Sequence, residues 1–294
     1  MYYPFRFATI VLPLLPRKLV IALANVIGWI AWLVASKARK QATSNILHVL
    51  DMRTLETRIG RRRLRRTVRG MFQQSARNWL EMCLLPSLQT ETILRLIHVQ
   101  GLEHIDAALA QGKGVILFSA HIGPFDYLVQ LAAVKGYHVT IPVERLKDQR
   151  MLDLLLKLRC SHGVQFLPLG GSSPMRAIIQ ELKQNHIVLI AVDRAIQGQT
   201  VEVPFFGASA LLPVGPVMLA QRTGAVLIGG FSWRVSDSDL RGECVPLSLS
   251  LPEEERMHTE RVMRGIAEMM EHFIAAHPEQ WAVFAPVWTG KKCS

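Results

Sequence analysis

One histidine and one aspartate carry the clearest chemistry in this sequence. His121 follows the apolar run 115–118 after Ser-Ala, and Asp126 stands five residues further on, beyond the strand-breaking pair Gly123-Pro124. In open α/β sheets, ligands and catalytic groups lie at the carboxyl ends of strands. A histidine placed there and oriented by a carboxylate can act as a general base on a hydroxyl group. The same residues also fit a histidine that only hydrogen-bonds a loop, and the spacing alone does not decide between the two.

Strand-like and helix-like runs alternate from about residue 100, and such elements would position the histidine. The candidate strands are 115–118, 139–143, 164–167, 187–192, 226–231 and 244–249. The helical patterns lie at 127–134, 149–160, 174–184, 214–223 and 257–276. This alternation predicts an α/β fold with a mostly parallel sheet flanked by helices.

The net charge of +11 is concentrated in the N-terminal part of the chain. Residues 1–85 hold 15 Lys and Arg against 3 Asp and Glu, whereas the rest of the chain holds 19 against 20. The segment 58–69 is rich in arginine above apolar residues at three-to-four spacing, which is typical of a basic amphipathic helix. Anionic lipid headgroups would bind such a helix, at about 1 kcal/mol per nearby arginine. Nucleic acid would give the same charge signature, but no nucleic-acid-binding motif accompanies it, so we predict no nucleic-acid partner.

An uncharged apolar run occupies residues 19–35, between the basic pair Arg17-Lys18 and the basic residues that follow Ser36. Its 17 residues are at the short end for a spanning helix. A secretory signal and an ordinary buried helix are alternatives, although no small-x-small cleavage site precedes the basic run. We predict a retained membrane anchor at 1–35, spanning or half-inserted, then a basic helical region at 36–99 packed on a catalytic body at 100–294.

The cysteines and the one glycine-rich stretch suggest no special chemistry. Cys83, Cys160, Cys244 and Cys293 show neither CxxC nor metal-ligand spacing, so we expect reduced thiols and no metal site. The stretch Gly170-Gly171-Ser172-Ser173-Pro174 would suit a phosphate at a helix start. A plain N-cap with proline in the first turn explains the same residues without a ligand, and we favour it.

Further motifs downstream of the histidine form a recognisable set. They are Asp193-Arg194, Glu202-Val-Pro-Phe-Phe-Gly207, Pro213-Val-Gly-Pro216, His277-Pro-Glu-Gln-Trp281 and Trp288. Together with His121 and Asp126, this set resembles the bacterial lipid A late acyltransferases and the actinobacterial phosphatidylinositol mannoside acyltransferases, of the glycerolipid and lysophospholipid acyltransferase superfamily. The resemblance extends over nearly the whole chain. It therefore implies the fold of that superfamily and O-acyl transfer as the activity.

Three positions distinguish this chain within the resemblance. Ala120 precedes His121 where lipid A enzymes usually have Asn, and the acid is Asp126 where they have Glu. The pair Asp193-Arg194 stands where lipid A enzymes tend to have Asp-Gln. These differences favour the mannoside-type branch, and the glycolipid acceptor is open at this stage.

The resemblance implies roles for individual residues. His121 would deprotonate the acceptor hydroxyl, Asp126 would orient the imidazole, and the hydroxyl oxygen would attack an acyl thioester directly. Ser119 is disfavoured as a nucleophile because its surroundings lack the Gly-x-Ser-x-Gly elbow. The predicted substrate-binding residues are Arg159, Glu202, Arg145, Glu144, Asp193 and Arg194. The alternatives for these are solvated helix faces, surface ion pairs and, for Glu202, a strand-edge side chain facing water.

The resemblance implies a membrane-associated bacterial acyltransferase whose catalytic body lies on the cytoplasmic face of the inner membrane. The donor would be an acyl thioester of acyl carrier protein or coenzyme A, and the acceptor a hydroxyl of a membrane lipid or glycolipid. No metal or redox cofactor is expected. Two alternatives remain open: a non-catalytic lipid-binding protein on the same fold, and a lipid or thioester hydrolase.

Overall fold

A computed structural model describes residues 2–50, 56–169, 174–195, 198–247 and 258–288 of the chain. The N-terminal part is helical: α1 (Tyr2–Val11), α2 (Arg17–Val34), α3 (Ser36–Val49), α4 (Arg58–Met82) and α5 (Thr90–Leu96). The first half of the α/β body comprises β1 (Ile97–Gln100), α6 (Leu102–Leu109), β2 (Val115–Ser119), α7 (Phe125–Val134), β3 (Val139–Val143), α8 (Gln149–Arg159) and β4 (Gln165–Pro168). The second half comprises α9 (Pro174–Lys183), β5 (Ile187–Ala191), β6 (Thr200–Phe205), β7 (Ala208–Pro213), α10 (Gly215–Thr223), β8 (Val226–Arg234), β9 (Leu240–Pro246) and α11 (Thr259–Ala276).

The predicted fold class is confirmed. Seven strands form one sheet in the order β1-β9-β8-β2-β5-β3-β4, and all neighbours except β8 and β9 run parallel. Strands β8 and β9 are antiparallel because a short turn at 235–239 joins them directly, too short for the crossover that a parallel pair requires. The predicted strand at 244–249 begins earlier, at Leu240, and residues 248 and 249 lie outside the described residues.

A two-stranded hairpin of β6 and β7 lies apart from the main sheet. Phe206 and Gly207 form its turn, and both have positive φ angles, of 51° and 69°. Two-residue hairpin turns of this kind match the twist of the flanking strands. The motif Phe-Phe-Gly therefore forms a tight turn here, and the indole of Trp288 donates a hydrogen bond to the carbonyl of Phe205 at its base.

The N-terminal helices pack against the α/β body through a shared hydrophobic core. Trp32 of α2, Ile46 of α3 and Phe72 of α4 belong to the same buried cluster as Phe118 of β2 and Met263 of α11. Helix α2 runs antiparallel to α4: Arg17 at its start reaches Glu81, and Trp32 near its end lies under Arg65. Helices α2, α3 and α4 are therefore anchored to the body.

One helix among the described residues, Arg17–Val34, is long and apolar enough to cross a membrane by length and composition. Buried core helices of soluble proteins and signal sequences share this length and apolar composition. The glycine-rich stretch 170–173 and Cys293 lie outside the described residues. The other three cysteines are free thiols, with Cys83 and Cys244 buried and Cys160 exposed.

Candidate active site

His121 and Asp193 occupy equivalent positions at the ends of neighbouring strands. Strands β2 and β5 pair in parallel with Ser119 opposite Ala191. The pairing continues beyond the strands, because the N–H of Val192 donates to the carbonyl of Ser119 at 2.8 Å. Counted from the strand ends Ser119 and Ala191, each chain extends by two residues, and the histidine and the aspartate meet at the carboxyl edge of the sheet.

Three hydrogen bonds hold the Asp193 carboxylate against the histidine. Its Oδ1 lies 2.7 Å from His121 Nδ1, and its Oδ2 accepts from the backbone N–H of His121 at 2.9 Å and from Trp281 Nε1 at 2.7 Å. Asp193 is completely buried. Burial raises the pKa of Asp193, but the His121 imidazole and these donors outweigh it and leave the pKa below its usual range. An ionised carboxylate only accepts hydrogen bonds, so Nδ1 of His121 carries the hydrogen, and in the neutral imidazole Nε2 has the lone pair.

The structure places Asp193, and not Asp126, against the imidazole of His121, whereas sequence spacing had assigned the orienting position to Asp126. Asp126 lies in the first turn of α7 and forms an ion pair with Arg159 of α8, with Nε 2.9 Å from Oδ1 and a hydrogen bond of 3.2 Å from Nη2 to Oδ2. The chain turns between the two residues at Gly123, whose φ is +65°. The turn directs Asp126 toward α8, while the strand register brings His121 to β5.

The Asp126–Arg159 pair is built into the wall of the site. The guanidinium of Arg159 lies 5.5 Å from the ring centroid of Phe125 and 5.7 Å from that of Phe166. Gln130 of α7 donates a 2.8 Å hydrogen bond to the Arg159 carbonyl, which fixes the end of α8. Burial raises the pKa of Asp126, and the opposing effect of Arg159 does not cancel it.

The loop that carries His121 is clamped by the C-terminal segment. Ala282 N–H donates to the His121 carbonyl at 2.9 Å, and Gly123 N–H donates to the Gln280 carbonyl at 3.1 Å. A Cβ atom at Gly123 would lie only 2.1 Å from the carbonyl oxygen of Ser232. Glycine is therefore required here both by its backbone conformation and by the close approach of β8.

A buried group of charges, here called the Glu81 cluster (Glu81, Arg17, Arg77 and Arg234), lies beneath this loop. Glu81 accepts from Arg234 at 2.6 Å, from Arg17 at 2.9 Å and from Arg77 at 3.2 Å. Burial raises the pKa of Glu81, but the three arginines prevail and the pKa is lowered.

Asn78 connects the Glu81 cluster to the histidine loop. Its Oδ1 accepts from Arg234 at 2.7 Å, and its Nδ2 donates to the Gly123 carbonyl at 3.1 Å. The side chain of Gln280 bonds both the N–H and the carbonyl of Arg234, at 2.7 and 3.0 Å. Helix α4, β8 and the C-terminal segment thus fix the position of the loop together.

A cavity of about 830 Å³ opens beside His121. It runs between the face of the sheet that carries Leu117 and Leu189 and helix α7, which contributes Leu128, Val129 and Ala132. The polar side chains at one end include those of His121, Asp126 and Arg159. A volume in this range with a mostly apolar wall and few polar groups is typical of a ligand site.

The remaining sequence-predicted residues divide into two groups. Glu144 and Arg194 line the cavity. Arg145 is exposed and does not contribute to the lining, and Glu202 is exposed on the hairpin, where it contacts the hydroxyl of Ser209. The described contacts thus place neither Arg145 nor Glu202 at His121. Ser119 is buried and its hydroxyl donates to the Ala120 carbonyl at 3.2 Å.

Sequence reasoning missed two contributors to the site, the Trp281 indole and the Asn78 amide. Trp281 belongs to the motif His277-Pro-Glu-Gln-Trp281, but the motif does not indicate which residue accepts a hydrogen bond from its indole N–H. Asn78 lies in an arginine-rich amphipathic helix, and no motif in the neighbouring sequence predicts that it contacts the His121 loop. Within the parts of the chain that the structure describes, no group of three His, Cys, Asp or Glu side chains could hold a metal ion. The prediction of a metal-free site stays a prediction.

Comparisons with known proteins place these residues in a family context. A family model described as bacterial lipid A biosynthesis acyltransferase matches residues 5–289. A phosphatidylinositol mannoside acyltransferase of Mycobacterium tuberculosis (strain ATCC 25618 / H37Rv) is 31% identical over 221 residues, which cover 74% of this chain and 68% of the relative. The protein of the same name from Mycolicibacterium smegmatis is 28% identical over 224 residues, covering 75% and 72%. These matches confirm the resemblance found in the motifs.

Proposed function

Because the chain belongs to the bacterial lipid A biosynthesis acyltransferase family and is an acyltransferase, we propose that it moves a fatty acyl chain from a thioester to a glycolipid hydroxyl. The observation that carries the proposal is the His121–Asp193 pair at one end of a large apolar cavity. The pair supplies a general base, and the cavity supplies a dry space for an alkyl chain. The donor is an acyl thioester of acyl carrier protein or of coenzyme A.

The proposed reaction begins at Nε2 of His121. This nitrogen takes the proton of the acceptor hydroxyl as the oxygen attacks the thioester carbonyl. Asp193 holds Nδ1–H and stabilises the imidazolium that forms. The tetrahedral intermediate then collapses, the carbon–sulfur bond breaks, and the imidazolium returns the proton to the leaving thiolate. The products are an ester and a free thiol, and no covalent acyl-enzyme is needed.

The Asp126–Arg159 pair is proposed to bind and position substrate. Both side chains line the cavity, and Asp126 offsets much of the charge of Arg159. Arg159 is 20% exposed in its side chain, which leaves part of the guanidinium accessible to the developing oxyanion or to a phosphate of the substrate. Glu144 and Arg194, which also line the cavity, would contact the acceptor headgroup.

The acceptor is proposed to be a mannosylated phosphoinositide-like glycolipid at the cytoplasmic face of the inner membrane. The similarity to phosphatidylinositol mannoside acyltransferases and the Asp193-Arg194 pair support this choice over lipid A. The basic N-terminal helices support an anionic membrane surface as the site of action. Family membership and the cavity favour catalysis over a purely lipid-binding role.

The proposal is tested with detergent-solubilised wild type, His121→Ala and the control His98→Ala, in which an exposed histidine of β1 is changed. Each receives labelled palmitoyl thioesters of both donor types together with a mannosylated phosphoinositide or a lipid A precursor. Mass spectrometry should detect an acylated mannolipid with wild type and His98→Ala, and none with His121→Ala. Transfer that survives His121→Ala would refute the base assignment.

Two further outcomes would favour the alternatives. Release of free fatty acid without acceptor, as fast as transfer with acceptor, would identify a hydrolase. Tight acceptor binding without product from either donor would identify a lipid-binding protein on the same fold.

A further inference from the structure

Helices α1 and α2 each expose a set of large apolar side chains, and the two sets together are here called the apolar ridge. Its members are Tyr3, Phe7, Ile10 and Leu14 from α1 and its 3-10 extension, and Leu19, Leu23, Val26, Ile27, Ile30 and Leu33 from α2. The α1 members recur at three-to-four spacing, so they occupy one helix face. Soluble monomers rarely expose an apolar stripe of this extent. Something must therefore cover the ridge.

The opposite face of α2 belongs to the protein core and is not available to lipid. Val20, Ala24, Gly28 and Trp32 are buried against the body. A Cβ atom at Gly28 would lie 2.4 Å from the Cα of Gln73, so the two helix backbones nearly touch there. A helix that spans a bilayer would have to leave this contact along its whole length. Helix α2 is therefore held flat against α4.

Both ends of α2 are also tied to the body. At the start, Arg17 donates to buried Glu81 at 2.9 Å. At the end, Arg39 and Arg65 lie over the ring of Trp32, with 5.6 and 5.3 Å to its centroid. The following helix begins at Ser36 and turns back onto the body at once. These attachments leave one long side of α2 exposed. Because both ends are held against the body, neither end of α2 can reach the second leaflet of a bilayer.

The charge around the ridge identifies what covers it. Arg65 and Arg69 lie on the same side of α4 as Gln73, which contacts α2, because these residues are four apart. Arg61, Arg62 and Arg66 are exposed on the same helix. A second copy of the chain would bring this positive charge against itself. An anionic lipid monolayer accepts both the apolar side chains and the flanking arginines.

The ridge also sets the orientation of the cavity. Phe5 of α1 packs edge-on against Trp79, with ring centroids 5.7 Å apart, and Trp79 is an exposed residue of the cavity lining. Leu146, Met175 and Met218 are further large apolar side chains that line the cavity and are exposed. The apolar surface thus continues from α1 to the cavity rim.

We propose that α2 lies in the plane of one anionic leaflet, with the apolar ridge inserted and the cavity rim facing the lipids. This rests on the proposed function and specifies how its lipid acceptor arrives: a lipid would enter the cavity sideways from the leaflet without crossing water. The arrangement is that of an interfacial helix and not of a spanning anchor.

The insertion depth of α2 tests the proposal directly. Single cysteines at Leu19, Leu23, Val26, Ile30 and Leu33 are labelled with a nitroxide in the full chain, with Cys160 and Cys293 replaced by serine. On vesicles of phosphatidylcholine and phosphatidylglycerol, an in-plane helix gives one shallow depth at all five positions. Labels at Leu19 and Leu33 are then both reduced by ascorbate added outside. A depth maximum at Val26, with one end protected from ascorbate, would show a spanning helix and overturn the proposal.

A charge substitution separates docking from catalysis. Ile30→Glu should weaken vesicle binding roughly tenfold or more, since burying an Ile side chain stabilises by more than 1.4 kcal/mol. The control Leu94→Glu, on α5 and similarly exposed, should bind as wild type. Both should keep wild-type transfer to acceptor dissolved in detergent micelles. Vesicle binding unchanged by Ile30→Glu would overturn the docking proposal, whereas failure of wild type in micelles would overturn the proposed function instead.

Discussion

His121 and Asp193 are 2.7 Å apart at Nδ1 and Oδ1 because they extend two adjacent parallel strands by the same number of residues. Their contact is a property of the sheet and not of a flexible loop. The aspartate is completely buried and accepts two further N–H groups, so it cannot turn away from the imidazole without losing them. Functional groups on rigid elements hold their geometry more closely than groups on loops.

Asp193→Asn should lower kcat by roughly 1,000-fold or more, because a neutral amide no longer fixes the tautomer or stabilises the imidazolium. Asp126→Asn should lower kcat much less and reduce stability by about 1–3 kcal/mol, because it leaves Arg159 without its ion partner. Steady-state kinetics and thermal unfolding of both variants check this. A larger kcat loss in Asp126→Asn would restore Asp126 to the orienting role.

Trp281→Phe removes one of the donors that lower the pKa of Asp193. The pKa of Asp193 should rise, kcat should fall roughly tenfold, and activity on the acid side should be lost at a higher pH than in wild type. Trp288→Phe is the matched control, since it removes an indole donor to the Phe205 carbonyl at 2.9 Å. Its pH–rate profile should match wild type. Identical profiles for all three proteins would show that the indole plays no part in the charge of Asp193.

Gly123→Ala should damage activity, whereas Gly136→Ala should cost only stability. Both glycines have positive φ angles, of 65° and 88°, so alanine at either position costs about 1–2 kcal/mol. Only at Gly123 would the new Cβ meet the Ser232 carbonyl, and the shift needed to relieve that contact moves the His121 loop. The measurement is kcat alongside unfolding by denaturant. Equal kcat values in the two variants would contradict a tight coupling of the loop to β8.

Glu81→Gln should destabilise the protein by about 3–5 kcal/mol at pH 7, because it leaves buried arginines without their carboxylate. The folded pKa of Glu81 is lowered, so its ionised form contributes stability above the unfolded pKa of about 4.3, and this is lost as the pH falls through the folded value. The variant should therefore lose stability less steeply with acid below about pH 4. Glu260→Gln, which removes a carboxylate from the exposed ion pair with Arg264, is the matched control, and its stability curve should run parallel to that of wild type. If the free energy of unfolding changed with pH in the same way for wild type and Glu81→Gln, Glu81 would not be ionised in the folded protein.

The sequence allowed the α/β class, six of the seven sheet strands and the histidine to be predicted, because apolar strands bounded by turn residues are local patterns. It also placed Asp193 at a strand end. It could not show that β2 and β5 are neighbours, since β3 and β4 come between them in the chain but outside them in the sheet. Spacing therefore favoured Asp126, the nearer carboxylate in sequence. The partner of a side chain across a parallel sheet depends on strand order, which local patterns do not encode.

The apolar run at 19–35 shows the same limit. Its composition predicts a helix that is apolar on nearly all sides, which fits a membrane-spanning segment, a signal sequence or a buried core helix. Packing against the body, as at Gly28 and Gln73, distinguishes the buried face of this helix from its exposed face. The proposed in-plane attachment rests on tertiary contacts with α4, such as those of Gly28 with Gln73 and of Trp32 with Arg65, which lie 45 and 33 residues later in the chain.

The hydrogen bond from Trp281 to Asp193 has a consequence for the timing of synthesis. His121 emerges from the ribosome well before the tryptophan and the clamp at Gln280 and Ala282 exist. The N-terminal helices of a nascent chain are thus made while its histidine still lacks these contacts. Full activity in the proposed acyl transfer therefore requires the segment from Gln280 to Ala282, which is made after all the strands of the sheet.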